Sequence, residues 1–62
     1  MTIKARNRQE RDRIVAIAEK IVHGRIHAGE LDPTDDAALK AATEQACRDA
    51  MQAYRAAEEF LF

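Results

Sequence analysis

The chain has 62 residues, a formal net charge of -1, and 47% hydrophobic and 34% charged residues. Its two glycines and one proline exclude a collagen-like chain, and its single cysteine excludes a disulfide scaffold. Ample Ile, Val and Leu with a net charge near zero argue against a disordered chain. This length allows one domain, which we predict to span residues 1–62.

Two amphipathic helices joined by one break are predicted from the apolar pattern. Helix 1 is expected over about residues 6–28, the turn over about 29–32 and helix 2 over about 33–60. A joint of about four residues favours an antiparallel helical hairpin. On the edge of the apolar face of helix 1, Gly24 either allows a second backbone to approach closely or is a tolerated glycine near the helix end.

Local signals mark the break between the helices. Gly29 suits the left-handed position that follows a helix C-terminus. Asp32 followed by Pro33 is typical of an N-cap and a first helical residue. Asp35 lies at the third helical position, where a carboxylate can reach back to the backbone N–H of the N-cap. These signals place the start of helix 2 at Pro33.

A hairpin of this size buries little core, because domains below about 70–80 residues rarely gain more than about 3–5 kcal/mol from one core. The apolar face of helix 1 is also wider than one partner helix can cover. We therefore predict an all-α fold in which two hairpins dimerise into a four-helix bundle. The expected dimer interface consists of Ile14, Ile17, Ile21, Ala46 and Ala50.

Charge is distributed unevenly along the chain. The first 31 residues carry seven Lys/Arg and four Asp/Glu, and the last 31 carry three Lys/Arg and seven Asp/Glu. In an antiparallel hairpin, the basic start of helix 1 lies beside Glu58 and Glu59. The acidic start of helix 2 lies beside Arg25 and His27. Intrachain pairing therefore explains the pattern as well as nucleic-acid binding does.

Two further ion pairs are expected within helix 2 itself. Glu44 and Arg48 are four residues apart, as are Arg55 and Glu59. Side chains at this spacing are neighbours on a helix surface, so each pair should stabilise the outer face.

The chain resembles the Rop family, dimeric four-helix bundles that control plasmid copy number by binding paired RNA loops. The resemblance covers most of the chain and rests on its length, the turn Glu30-Leu31-Asp32, the acidic opening of helix 2 and its one cysteine. It implies an RNA-binding face on helix 1, to which Lys20 and His27 correspond. The nucleic-acid contacts expected on this hypothesis are Arg6, Arg8, Arg13, Lys20 and His27.

No catalytic or metal-binding motif is present in the sequence. His23 and His27 are four residues apart on one side of helix 1, with Glu19 one turn earlier, whereas zinc requires three or four ligands. The chain contains no serine, and Cys47 beside the small residues of helix 2 is typical of a buried small hydrophobe. We expect a non-enzymatic protein without metal or cofactor.

Arginine and aromatic residues are the side chains most enriched in interface hot spots. The candidate partner-binding residues are therefore Arg11, Arg25, Tyr54, Arg55 and Phe62. Tyr54, Phe60 and Phe62 cluster at the end of helix 2, where they either close the bundle or form a docking patch. Phe60 and Leu61 are expected to continue the inner stripe, and Phe62 to point away from it.

The basic residues near Met1 precede no apolar stretch of the signal-peptide type, and one unpaired cysteine is typical of a reducing compartment. We therefore expect a cytoplasmic protein that does not bind membranes. The favoured function is a homodimeric protein-binding regulator or inhibitor, similar to the small helical proteins that phages and mobile elements direct at host factors. The alternative is a Rop-like RNA-binding regulator.

Overall fold

The structure is a computed structural model and describes residues 4–61. It contains two helices, α1 over Arg8–His27 and α2 over Asp36–Phe60. The helices pack against each other, and the beginning of α1 lies beside the end of α2, where Arg6 binds Glu58. The predicted all-α helical hairpin is therefore confirmed.

Helix α1 begins two residues later than predicted because Asn7 acts as its N-cap. The backbone of Asn7 is extended, with φ -158° and ψ 175°, and its Oδ1 accepts a hydrogen bond from the Glu10 N–H at 2.8 Å. This bond satisfies one of the N–H groups that a helix start leaves without a partner. Residues 4–6 therefore lie outside the helix.

Gly29 ends α1 in the predicted left-handed conformation, with φ +76°. Its N–H donates to the Ile26 carbonyl at 3.1 Å, and the Glu30 N–H donates to the Arg25 carbonyl at 2.9 Å. These two bonds form a Schellman motif, which satisfies the last carbonyls of the helix. Leu31 then folds back and is buried.

The predicted N-cap of helix 2 is wrong: it is Asp35, not Asp32. The Asp32 carboxylate accepts bonds from the Thr34 N–H at 2.9 Å and the Thr34 hydroxyl at 2.7 Å, which forms a turn of its own. These bonds hold the pKa of Asp32 below its usual value. Asp35 instead accepts the Ala38 N–H at 3.1 Å. The joint is therefore eight residues long, 28–35.

The core is a narrow seam between the two helices. Its buried residues recur every four positions on each helix and are joined by one residue of the turn: Ile14, Ala18, Val22, Leu31, Ala42, Ala46 and Ala50. Alanines on α2 allow the helices to pack closely. Gly24 is not part of this approach, because a Cβ placed on it would meet nothing within 4 Å. Among residues 4–61, no other part of the same chain therefore approaches Gly24 closely.

Candidate protein-interaction site

The open end of the hairpin, where α1 begins and α2 ends, is organised around the buried carboxylate of Glu10. Only 2% of this residue is exposed. Its oxygens accept the Arg6 backbone N–H at 3.1 Å, the Arg6 Nε at 2.6 Å and the Arg55 Nη2 at 3.0 Å. Hydrogen bonds from Arg6 chiefly, with help from Arg55, lower the pKa of Glu10 to about 2. A buried carboxylate is thus kept ionised by two arginines.

Arg6 also joins the two ends of the chain. Its Nη2 donates to both carboxylate oxygens of Glu58, at 2.6 and 2.8 Å. These bonds to Glu10 and Glu58 raise the pKa of the Arg6 guanidinium. The pairing expected between the basic start of α1 and the acidic end of α2 is therefore present for Glu58. Arg55 binds Glu10 rather than its predicted partner, Glu59, whereas Glu44 and Arg48 pair at 2.8 Å as expected.

At the turn end, the charged contacts are local. Arg25 Nε lies 3.9 Å from a carboxylate oxygen of Glu30. The backbones of these two residues are also hydrogen-bonded in the Schellman motif. Arg25 was expected to lie beside the aspartates at the start of α2. Among residues 4–61, it forms no ion pair with them. The longer joint holds those aspartates away from the end of α1.

A shallow groove runs between the helices along one side of the hairpin, which we call the groove face. Its larger part has a volume of about 750 Å³. This part is lined by Lys4, Ala5, Asn7, Arg8, Arg11, Ile14, Val15, Glu44, Cys47 and Met51. A smaller depression of about 230 Å³ adjoins it, shares Val15 and Cys47, and adds Glu19, Val22 and His23. The groove face therefore has an apolar floor and a basic end.

Contacts of Glu10 position this basic end. Because Arg6 is bound through both its backbone and its side chain, the segment that carries Lys4 and Ala5 is fixed against the beginning of α1. Glu10 is not among the site residues predicted from the sequence. The spacing Asn7-x-x-Glu10 is close to a capping box, which would have predicted a carboxylate reaching back past the helix start.

The five predicted partner-binding residues do not form one patch. Arg11 lines the groove and is exposed, whereas Arg25 lies at the opposite end of α1. Tyr54 is half-buried against the core, and Arg55 binds Glu10. Phe62 lies outside the described residues. Arg11 alone combines exposure with a place in the groove.

The predicted dimer interface is divided by the hairpin itself. Ile14, Ala46 and Ala50 are buried between the two helices of one chain, although Ile14 also lines the groove. Helix α2 thus covers the centre of the apolar stripe, and a dimer contact through these three residues stays a prediction. Ile17 and Ile21 are only partly buried and flank the core.

The predicted nucleic-acid contacts are also separated. Arg6 is engaged by two carboxylates, and Arg8 lines the groove. Arg13, Lys20 and His27 are exposed and follow one another at intervals of seven residues, which places them in one line along α1. Only these last three form a common surface.

The end of α2 leaves two large apolar side chains uncovered. Phe60 is 83% exposed and Leu61 is 79% exposed, so neither continues the inner stripe as predicted. The physical reason is the late start of α1. Glu58 still contacts Arg6, but among residues 4–61 no helical residue lies opposite those that follow it. We call Phe60 and Leu61 the terminal pair.

Cys47 and His23 complete the groove face. Cys47 is a free, partly buried thiol that packs against the core, and His23 lines the smaller depression. Among residues 4–61, no group of three His, Cys, Asp or Glu side chains could hold a metal ion. Neither helix within this range is long and apolar enough to cross a membrane.

Comparison of the chain with protein-family models, curated proteins and solved structures found no match.

Proposed function

We propose that this chain is a homodimeric, non-enzymatic protein-binding regulator or inhibitor, of the kind that phages and mobile elements direct at a host factor. The observation that carries the proposal is the exposure of the terminal pair, Phe60 and Leu61, at 83% and 79%. Large apolar side chains that are exposed together are typical of interaction sites. Aromatic residues are also frequent hot spots in protein interfaces.

The residues just before the terminal pair are bound to α1. Glu58, two residues before Phe60, is bound by Arg6, and Arg55 is bound to Glu10. These contacts hold the end of α2 against α1, which reduces the conformational freedom that this chain loses when a partner binds there. The surface suits an apolar pocket on a larger protein.

Dimerisation is supported by the composition of the core. Four of its seven buried residues are alanines, Ala18, Ala42, Ala46 and Ala50, which bury little apolar area. A single chain with such a core and no disulfide is marginal by itself. A second copy would supply the missing burial.

The terminal pair is tested by the double variant Phe60→Ala/Leu61→Ala, with Glu59→Ala as the matched control on the same turn. Tagged protein is cross-linked in host lysate, and the Kd of the recovered partner is then measured by calorimetry. We expect the double variant to raise this Kd at least ten-fold, as two hot-spot truncations do, and Glu59→Ala to leave it unchanged. Equal Kd values for both variants would show that the terminal pair is not part of the interface with the partner.

RNA binding is the second candidate function, and one observation favours it. Arg13, Lys20 and His27 are exposed in one line along α1, over roughly 21 Å at the helical rise. We expect any nucleic-acid binding to be weak and salt-dependent. Titration of structured RNA and duplex DNA at two salt concentrations tests this, with Arg13→Gln/Lys20→Gln reducing the salt slope. Nanomolar, shape-selective RNA binding at physiological salt would replace the protein-binding proposal.

A further inference from the structure

The groove face carries charges of both signs at matched distances from its centre. Along α1, it presents Arg8, Arg11, Val15, Glu19 and Val22. Arg11 lies four residues before Val15 and Glu19 four residues after it, so the basic and acidic positions are equally far from Val15. Val15 and Cys47 belong to both depressions and therefore mark the middle of the face.

This arrangement is self-complementary. When two identical helices pack antiparallel about a two-fold axis, each residue before the axis meets the residue the same distance after it on the other copy. An axis near Val15 therefore brings Arg11 of each copy to Glu19 of the other, and the pair forms twice. A purely basic groove would repel a second copy, whereas this one attracts it.

Burial supports the same occupant. Val15 is 37% exposed although it adjoins the core, and Cys47 and Met51 are only partly buried beside it. A second α1 laid along the groove would cover these three apolar side chains together. Arg11 contacts only the exposed Asp12, at 3.3 Å, and Glu19 has no ion pair among residues 4–61. Both groups are thus available for contact between chains.

We infer that the groove face is the surface through which two copies of this chain associate, with α1 packed antiparallel on α1 about a two-fold axis near Val15. The inference rests on the proposed homodimer and specifies its interface. It places Ile17 and Ile21, which belong to the predicted interface, outside the contact. It also leaves the terminal pair uncovered for a target.

The first test is Val15→Glu, with Ala16→Glu as its control. Val15 is on the axis, so two added carboxylates would meet, whereas Ala16 is exposed on α1 and lines neither depression. The dimer Kd is measured by sedimentation equilibrium, and helix content by circular dichroism. We expect Val15→Glu to raise the dimer Kd about a hundred-fold and Ala16→Glu to leave it within a factor of about two.

The second test reverses the charges. Arg11→Glu and Glu19→Arg each place like charges opposite one another twice, and each should raise the dimer Kd about ten-fold. The double variant Arg11→Glu/Glu19→Arg restores opposite signs, so we expect it to recover most of the wild-type affinity. Arg11 and Glu19 are both exposed, so we expect the fold to be preserved in each variant.

Cys47, the single cysteine, reports the geometry of the dimer. In a groove-face dimer, each Cys47 thiol is covered by α1 of the other copy, so dimerisation should slow its reaction with a maleimide. Protection that is lost in Val15→Glu and retained in Ala16→Glu supports the inference. A dimer that resists both charge reversals, leaves Cys47 unprotected and dissociates with Ile21→Glu would move the interface to Ile17 and Ile21. A helical monomer at every concentration would overturn the dimer itself, while the terminal-pair assay decides target binding separately.

Discussion

The two ends of the hairpin are closed by different physical means. At the turn end, Gly29 supplies a left-handed backbone, and Asp32 and Asp35 each bond a group two or three residues ahead. At the open end, Arg6 binds Glu58 across 52 positions of sequence, and Arg55 binds Glu10 across 45. One end is organised by neighbours in the chain and the other by residues that meet only after folding.

Because of this difference, the two ends should respond differently to pH and to salt. Backbone conformation and apolar burial change little with pH or salt, so the turn end should respond to both chiefly through the carboxylates of Asp32 and Asp35. The open end depends on the ionised state of Glu10 and on exposed arginines, whose interactions salt weakens. We therefore expect acid to weaken the open end more than the turn end.

Leu31→Ala is expected to have the largest effect of the substitutions that test this comparison. Leu31 is 8% exposed and is the only core residue contributed by the turn. Removing it should cost about 2–4 kcal/mol of unfolding free energy, as cavity-forming Leu→Ala changes do. Urea titration measures the loss. Leu61→Ala is the control, since that side chain is exposed, and it should leave the unfolding midpoint unchanged. Equal losses would mean that packing does not hold the turn.

Glu10→Gln should remove stability that depends on pH. The folded pKa of about 2 lies below the ordinary 4.5, so the ionised carboxylate stabilises the fold above about pH 4.5. That contribution is lost as the pH falls from about 4.5 to about 2. We expect the melting temperatures of wild type and variant to differ most near neutral pH and to converge towards pH 2.

The matched control is Glu44→Gln, which removes an exposed carboxylate paired only with Arg48. Its melting temperature should follow that of the wild type at every pH, because exposed pairs contribute little. A constant difference between wild type and Glu10→Gln down to the lowest pH would show that lost packing, rather than lost charge, explains the variant.

The turn end could largely be predicted from the sequence because its signals are local. Gly29 was placed correctly, since a left-handed residue after a helix favours glycine regardless of tertiary context. The start of α2 was misplaced because Asp32 and Asp35 have the same capping chemistry. The hydroxyl of Thr34, which binds Asp32, decides between them.

The open end and the surfaces could be predicted only in part. A lone glutamate among basic residues indicates a solvated side chain, and nothing in the order of residues brings Arg55 to Glu10. The exposure of Phe60 and Leu61 likewise depends on where α1 begins opposite them. Charge complementarity was expected correctly because it needs only the antiparallel arrangement, not the identity of each pair.

The helix caps allow the same change to be made at both ends. Asn7 caps α1 at the open end and Asp35 caps α2 at the turn end, each through one side-chain oxygen. Replacing either with alanine should cost about 1 kcal/mol. Asp35 also interacts as a charge with the helix dipole, so we expect added salt to reduce the loss for Asp35→Ala but not for Asn7→Ala. Chemical denaturation at low and high sodium chloride measures both; the same salt dependence for the two variants would show that the charge of Asp35 contributes nothing.

Gly24→Ala is expected to have the smallest effect and to stabilise the chain. Gly24 lies inside α1 with helical backbone, and a methyl group there would meet nothing within 4 Å. Alanine restricts the unfolded chain without strain in the helix, so the gain should be about 0.5–1 kcal/mol.

Gly29→Ala is the opposing control, since the φ of +76° is strained for any residue with a Cβ, and it should lose stability. Thermal melts of the two variants therefore shift in opposite directions if Gly24 is only a helix residue. A loss for Gly24→Ala would mean that another chain packs against this glycine, which would require a dimer contact on the outer side of α1 instead of the groove face.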